Sequence, residues 1–107
     1  MPLTRSFKET IAERVRSDRA FRRELLKEGI ECLLAGDMAA GKSVLRDYIH
    51  ATVGFGTLSE AVGISQKSLL RMFGPSGNPQ ASNLFQVVAY LQKAEGIRLH
   101  VKPQKAA

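Results

Sequence analysis

The chain has little of what disulfide-stabilised, membrane-spanning or metal-dependent proteins require. Cys32 is its only cysteine, so no intrachain disulfide can form. In an apolar helical stretch it is expected to be a small core residue in a reducing compartment. No apolar run reaches membrane length, and the amino terminus is polar and charged from Thr4 onward, unlike a signal peptide. The expected location is the cytoplasm. His50 and His100 are the only histidines, and neither has an acidic or cysteine companion at ligand spacing, so no metal site is expected. His50 is expected to flank a helical core, and His100 to lie on the exposed side of the last segment. Asp37 and Asp47 read as a helix cap and a surface charge, and nothing pairs a nucleophile with a base. Aromatic and basic residues do not alternate as on a single-strand-binding platform. With 107 residues forming one small domain, the expectation is no enzymatic activity and no cofactor.

What the chain has is positive charge, unevenly placed. Sixteen Lys and Arg stand against ten Asp and Glu, a net charge of +6. Residues 1–64 hold ten basic and nine acidic residues, whereas residues 65–107 hold six basic and one acidic. A field of that sign attracts a phosphate backbone and makes binding fall with salt.

Most of the chain reads as helix. Ser6 and Glu9 form a capping-box pattern, and Phe7, Ile11 and Val15 recur every fourth residue, predicting a helix over about 6–16. Asp18 is expected to cap a second helix carrying Phe21, Leu25, Leu26, Ile30, Leu33 and Leu34, closed by Gly36. Its other side, with Arg19, Arg22, Arg23, Glu24, Lys27 and Glu28, reads chiefly as a solvated face with helical charge pairs, the alternative being a second DNA contact. A third helix is predicted from about Asp37 to Val53, with Val44, Leu45, Tyr48 and Ile49 inward.

Residues 55–74, FGTLSEAVGISQKSLLRMFG, then predict a helix-turn-helix. Leu58 and Val62 share one side of the first helix, and Leu69, Met72 and Phe73 one side of the second. Gly63 tolerates the positive φ of a sharp helix ending, Ile64 can plug the corner, Ser65 is a good N-cap, and Ser59 is small enough for a close crossing. Gln66, Lys67, Ser68, Leu70 and Arg71 remain for the outward side. The second helix of such a unit is shaped for the DNA major groove. A polar loop, GPSGNP, follows. Near Ser82 a further helix starts, with Leu84, Val87, Val88 and Leu91 closing the core.

After Gly96, Ile97, Leu99 and Val101 alternate with Arg98, His100 and Lys102, a strand pattern. A lone strand leaves its backbone groups unpaired, so Ile97, Leu99 and Val101 are expected to pair with another copy in a homodimer, or with a different protein. The alternative is a frayed tail. The resulting organisation is a helical extension over 1–36, a DNA-binding domain over 37–95 and a strand with tail over 96–107.

One motif points elsewhere. GDMAAGKS over residues 36–43 satisfies the phosphate-binding pattern G-x-x-x-x-G-K-[ST], with Lys42 and Ser43 in the phosphate and magnesium positions. That chemistry needs a preceding buried strand and a later strand ending in aspartate. Residues 23–35 instead have helical spacing, so Gly36 and Asp37 are expected to be a helix stop and an N-cap, and no nucleotide is expected.

The spacing of residues 44–93, with turn glycine Gly63 and Asn78-Pro79 before Leu84, resembles the lambda-repressor-like, or xenobiotic-response-element, helix-turn-helix group. The stretches LRDYIHATVGF, KSLLRMFGPSGNPQASNL and EGIRLHV are similar to the HigA-like antidote proteins of bacterial addiction modules. The resemblance runs from about Phe7 to Val101 and is most specific from Leu45 to Leu84. It implies an all-α, five-helix DNA-binding domain, here with an N-terminal helical extension and a short C-terminal strand. It further implies a nucleoid-associated homodimer that represses its own operon and, for true antidotes, neutralises a toxin that degrades messenger RNA. Carried over by position, base-reading residues fall on Gln66, Lys67 and Arg71, with Ser68 a phosphate or base contact. Phe55 stands where the group often has a phosphate-gripping polar residue, and the loop after the reading helix lacks basic residues. Phosphate contacts are then expected from backbone amides near Thr57 and Ser65, from the GPSGNP loop, or from basic residues elsewhere.

Overall fold

Helix boundaries follow from capping residues and left-handed glycines. The computed structural model describes the backbone of residues 3–106 and the side chains of residues 9–106. Among them six helices occur: α1 (Leu3–Ser17), α2 (Arg19–Leu34), α3 (Met38–Ala51), α4 (Phe55–Val62), α5 (Gln66–Met72) and α6 (Ala81–Glu95). The fold is all-α, and no described residue lies in a strand. Asp18, Asp37 and Ser65 each accept a backbone N–H at 3.1 Å, from Phe21, Ala40 and Ser68, which satisfies a donor that the first helical turn leaves over. Gly63 and Gly96 take left-handed φ of 71° and 74° where α4 and α6 end.

Two boundaries differ from expectation. α1 begins at Leu3, which puts Ser6 inside the helix, because no residue between Leu3 and Ser6 stops one; the inward side chain expected at Phe7 lies outside the described residues. α3 ends at Ala51 rather than near Val53, since Thr52 leaves helical geometry and turns its hydroxyl onto the Tyr48 carbonyl at 2.7 Å.

The core gathers Leu26, Leu45, Tyr48, Ile49, Phe55, Leu58, Leu69, Phe73, Leu84, Val87 and Leu91 from α2 through α6, so residue 26 of the expected extension shares one apolar cluster with the rest. Each such side chain stabilises the fold by roughly 1.5–3 kcal/mol. α2 and α3 approach closely through two glycines. A Cβ on Gly29 would meet Leu45 at 2.9 Å, and one on Gly41 would meet Leu33 at 2.5 Å. Leu34, expected inward, is 65% exposed because α2 ends there, beyond the packed crossing.

The carboxyl segment departs most from expectation. Residues 97–106 adopt no regular structure. A strand here would have no ladder partner among the described residues. The Ile97 N–H instead bonds the Gln92 carbonyl at 3.0 Å, and the Leu99 N–H bonds Gln92 Oε1 at 2.7 Å. Ile97 and Leu99 pack, half-buried, against the core, whereas Val101 is 76% exposed. Of the three residues expected to pair across a dimer, Val101 alone stands clear of the core.

Arg22 and Arg23 on α2 also correct the expectation of a solvated face. Arg22 Nε donates to both Glu95 oxygens, at 2.7 and 2.8 Å, and the Tyr48 hydroxyl donates to the same carboxylate. Arg23 adds an ion pair at 3.8 Å, and the Glu95 side chain is only 4% exposed. The expected helical pairing holds at Lys27 and Glu31, 3.7 Å apart. Burial pushes the Glu95 carboxyl upward, but the bonds from Arg22 and Tyr48 outweigh it and hold the group below the ordinary carboxylate value. Burial, reinforced by Glu95, pushes the Tyr48 phenol upward.

Candidate nucleic-acid interface

α4 and α5 meet at a corner built as their residue types require. Gly63 gives its N–H to the Ser59 carbonyl at 2.9 Å, and the Ser59 hydroxyl donates to the Ile64 carbonyl at 2.6 Å. Ile64 packs half-buried against the core. Ser59 therefore braces the turn as well as leaving room for it. Beneath the corner, Leu58, Val62, Leu69, Met72 and Phe73 are buried, so the angle between the two helices is set by packing.

Phe55 is a core residue that seats the start of α4. It is 4% exposed, and its ring meets His50 edge-on at 4.8 Å and Phe73 at 6.3 Å. It fixes the first turn of α4 to α3 and to the end of α5. His50 accordingly flanks the core. Gly54 opens α4 at φ 79° with no side-chain cap.

The outward side of α5 carries Gln66, Lys67, Leu70 and Arg71, all exposed, opposite buried Leu69, Met72 and Phe73. Gln66 Oε1 lies 3.9 Å from where a Cβ on Gly56 would sit, so the first turns of α4 and α5 share an edge, beside exposed Thr57. Ser68 is set apart from the others. It is half-buried, and its hydroxyl accepts from Ser65 Oγ at 2.9 Å. Ser65 and Ser68 thus form a closed capping pair at the start of α5.

The basic residues that the sequence groups together lie on different elements. Lys67 and Arg71 lie on α5, Lys93 near the far end of α6, and Arg98, Lys102 and Lys105 beyond it. Glu95, the single acidic residue after residue 64, is buried in the Arg22 pair and leaves the outward surface of this half to its cations.

No protein-family model, curated protein or solved structure matches this chain.

Other chemistry finds little footing. Residues 38–43 lie within α3, behind α2, with Asp37 as N-cap, and Lys42 is turned inward onto the carbonyls of Gly74 and Gly77. That is not the strand-delivered loop that nucleotide phosphates require. Among the described residues, no group of three His, Cys, Asp or Glu is placed to hold a metal ion. None of the described helices is long and apolar enough to cross a membrane. A cleft of about 960 Å³ lies between α1, α3 and residues 73–75. Its lining mixes Glu28 and Asp47 with Lys42, Arg46 and His50, so it carries charges of both signs. Sequence reasoning missed the Arg22, Tyr48, Glu95 cluster and the inward Lys42. The only forewarning was Glu95 itself, a lone acid in a basic half.

Proposed function

We propose that the protein is a sequence-specific double-stranded DNA-binding regulator, a repressor of its own operon, which inserts α5 into the major groove and carries out no catalysis. The observation that carries this reading is the α5 surface. An amide, an ammonium and a guanidinium project from a short helix whose other side is locked into the core. Gln66 is suited to adenine, Lys67 and Arg71 to guanine, and exposed Leu70 to a thymine methyl group. Ser65 and Ser68 act through the capped amino end of the helix and Thr57 through the first turn of α4, the kind of contact that sets register on phosphate. Because few cations adjoin α5, binding is expected to have a shallow salt dependence relative to strongly basic regulators.

Selection of bound sequences from a random DNA library tests the reading directly, and recovery of no consensus would remove it. With the selected site in hand, Lys67→Ala or Arg71→Ala should weaken binding by about 1–3 kcal/mol and relax preference at the contacted base pair. Unchanged affinity for both variants would sink the residue assignment.

The reading includes a homodimer, in which two copies present α5 to half-sites about one DNA turn apart. Since Ile97 and Leu99 also pack on the core, the informative truncation removes residues 100–107 and leaves both in place. Sedimentation should then show a weaker dimer; an undiminished dimer would exclude the tail as the pairing element.

A second reading, neutralisation of an RNase toxin by direct binding, is favoured by exposed apolar side chains on elements other than α5. Leu34 and Met38 flank the α2–α3 turn at 65% and 39% exposure, and Phe85 on α6 is 62% exposed. Both activities can reside in one chain. Co-purification with the product of a neighbouring reading frame that encodes a small basic ribonuclease distinguishes this reading.

A further inference from the structure

Lys42 is a charged residue with only 6% of its surface exposed. Its ammonium donates to the Gly74 carbonyl at 3.0 Å and to the Gly77 carbonyl at 2.6 Å. These oxygens belong to the loop that leaves α5. The same loop is closed by a bond from the Gly77 N–H to the Gly74 carbonyl at 3.1 Å. Gly77 is pressed onto the end of α5, where a Cβ would come within 2.0 Å of the Arg71 carbonyl and 2.7 Å of the Met72 carbonyl. No other residue type fits there. Carbonyl oxygens from the end of α5 and from the loop therefore crowd one small volume, and the Lys42 charge reaches into it from α3. An ammonium on a flexible stem can satisfy carbonyls from below while its methylenes fill apolar space.

We propose that Lys42 is a positioning residue for nucleic-acid binding: it holds the 74–79 loop as a preformed, phosphate-facing shelf beside Arg71, while its own charge never meets the DNA. The proposal rests on the DNA reading of α5 given above. Exposed Pro75, Ser76 and Asn78 form the outer edge of the shelf, and the uncharged loop contacts phosphate through Ser76, Asn78 and backbone amides. A loop already ordered in the unbound protein loses little further entropy when DNA arrives. That is how a loop without a single basic residue contributes to affinity.

The test uses the full chain with Lys42→Met, which keeps most of the side-chain volume, and Lys67→Ala as a direct-contact control. Without DNA, the Gly77 amide, which bonds the Gly74 carbonyl, should exchange faster in Lys42→Met while the amides of α2 and α6 are unchanged. With the selected operator, affinity should fall roughly tenfold, the equivalent of ordering about one extra residue. The slope of log affinity against log salt should remain that of the parent protein, whereas Lys67→Ala should make it shallower. Unchanged loop exchange, or unchanged affinity, overturns the clamp even where the parent protein binds its operator. A slope that falls as it does for Lys67→Ala overturns it by making Lys42 a phosphate contact. If the parent protein selects no DNA, the DNA reading itself fails, and the positioning role falls with it. Should Lys42→Met not fold, Gly77→Ala displaces the same loop from above with Lys42 intact, and the same loss of affinity at unchanged slope is expected.

Discussion

Replacing Glu95 with alanine is expected to destabilise the protein by about 3 kcal/mol, because it leaves the Arg22 guanidinium unpaired and the buried Tyr48 hydroxyl without its acceptor. The carboxylate is 4% exposed and Arg22 is 22% exposed, so water can relieve the arginine only in part. Arg22 also reaches the Val15 carbonyl at 3.4 Å and the Arg16 carbonyl at 3.5 Å. The loss thus loosens contacts of α1, α2, α3 and α6 together. Against a total stability of about 5–15 kcal/mol for a domain of this kind, that is a large fraction. Urea unfolding near neutral pH measures it, and a change below about 1 kcal/mol, the range of ordinary surface substitutions, would mean that the cluster is not structural.

The same cluster predicts a pH dependence with a definite sign. The folded carboxyl of Glu95 titrates below its ordinary value of 4.5, so the unfolded chain takes up its proton first as acid is added. Its stabilising contribution is complete above that ordinary value and is lost as pH falls through the lower, folded value. Stability measured from neutral pH down to acid should therefore drop more steeply for the parent protein than for Glu95→Gln, which has no carboxyl to protonate at this position. Parallel curves would show that other carboxylates govern acid unfolding.

Replacing Phe55 with alanine should have an effect at least as large, about 3–5 kcal/mol, by opening a cavity between α3, α4 and the end of α5. The ring is almost fully buried and packs against His50 and Phe73. Because it seats the first turn of α4, its loss should loosen the corner that presents α5, so operator binding falls together with stability. Phe55→Leu, which preserves most of the apolar volume, should recover most of both. Thermal and urea unfolding of the pair of variants check the prediction. Wild-type stability in Phe55→Ala would overturn the core assignment and restore Phe55 as a surface residue open to a phosphate-contacting replacement.

These two residues illustrate where sequence reasoning succeeds and where it stops. Phe55 stands out in the sequence as the apolar residue that opens the motif, but its partners His50 and Phe73 lie on α3 and at the end of α5. Glu95 was conspicuous as the lone acid of a basic half, yet its partner Arg22 is 73 residues away and looked like part of a solvated face. The charge step after residue 64 marks a basic half. Two of its six cations, Lys67 and Arg71, lie on α5, and the other four lie near or beyond the end of α6.

Interactions within one or two helical turns were determined by the sequence alone. Asp18, Asp37 and Ser65 accept N–H groups three residues onward, Gly63 and Gly96 end helices in the left-handed region, and four-residue spacing places Leu58, Val62, Leu84, Val87, Val88 and Leu91 inside. These outcomes depend on local geometry, which a short stretch of chain carries with it. Only the tertiary structure decided the inward turn of Lys42 onto Gly74 and Gly77, the burial of Glu95 between Arg22 and Tyr48, the close crossing through Gly29 and Gly41, and the docking of Ile97 and Leu99 in place of an isolated strand. In each case a polar or flexible group had several local options of similar energy, and the choice was made by a partner brought close only when the helices packed.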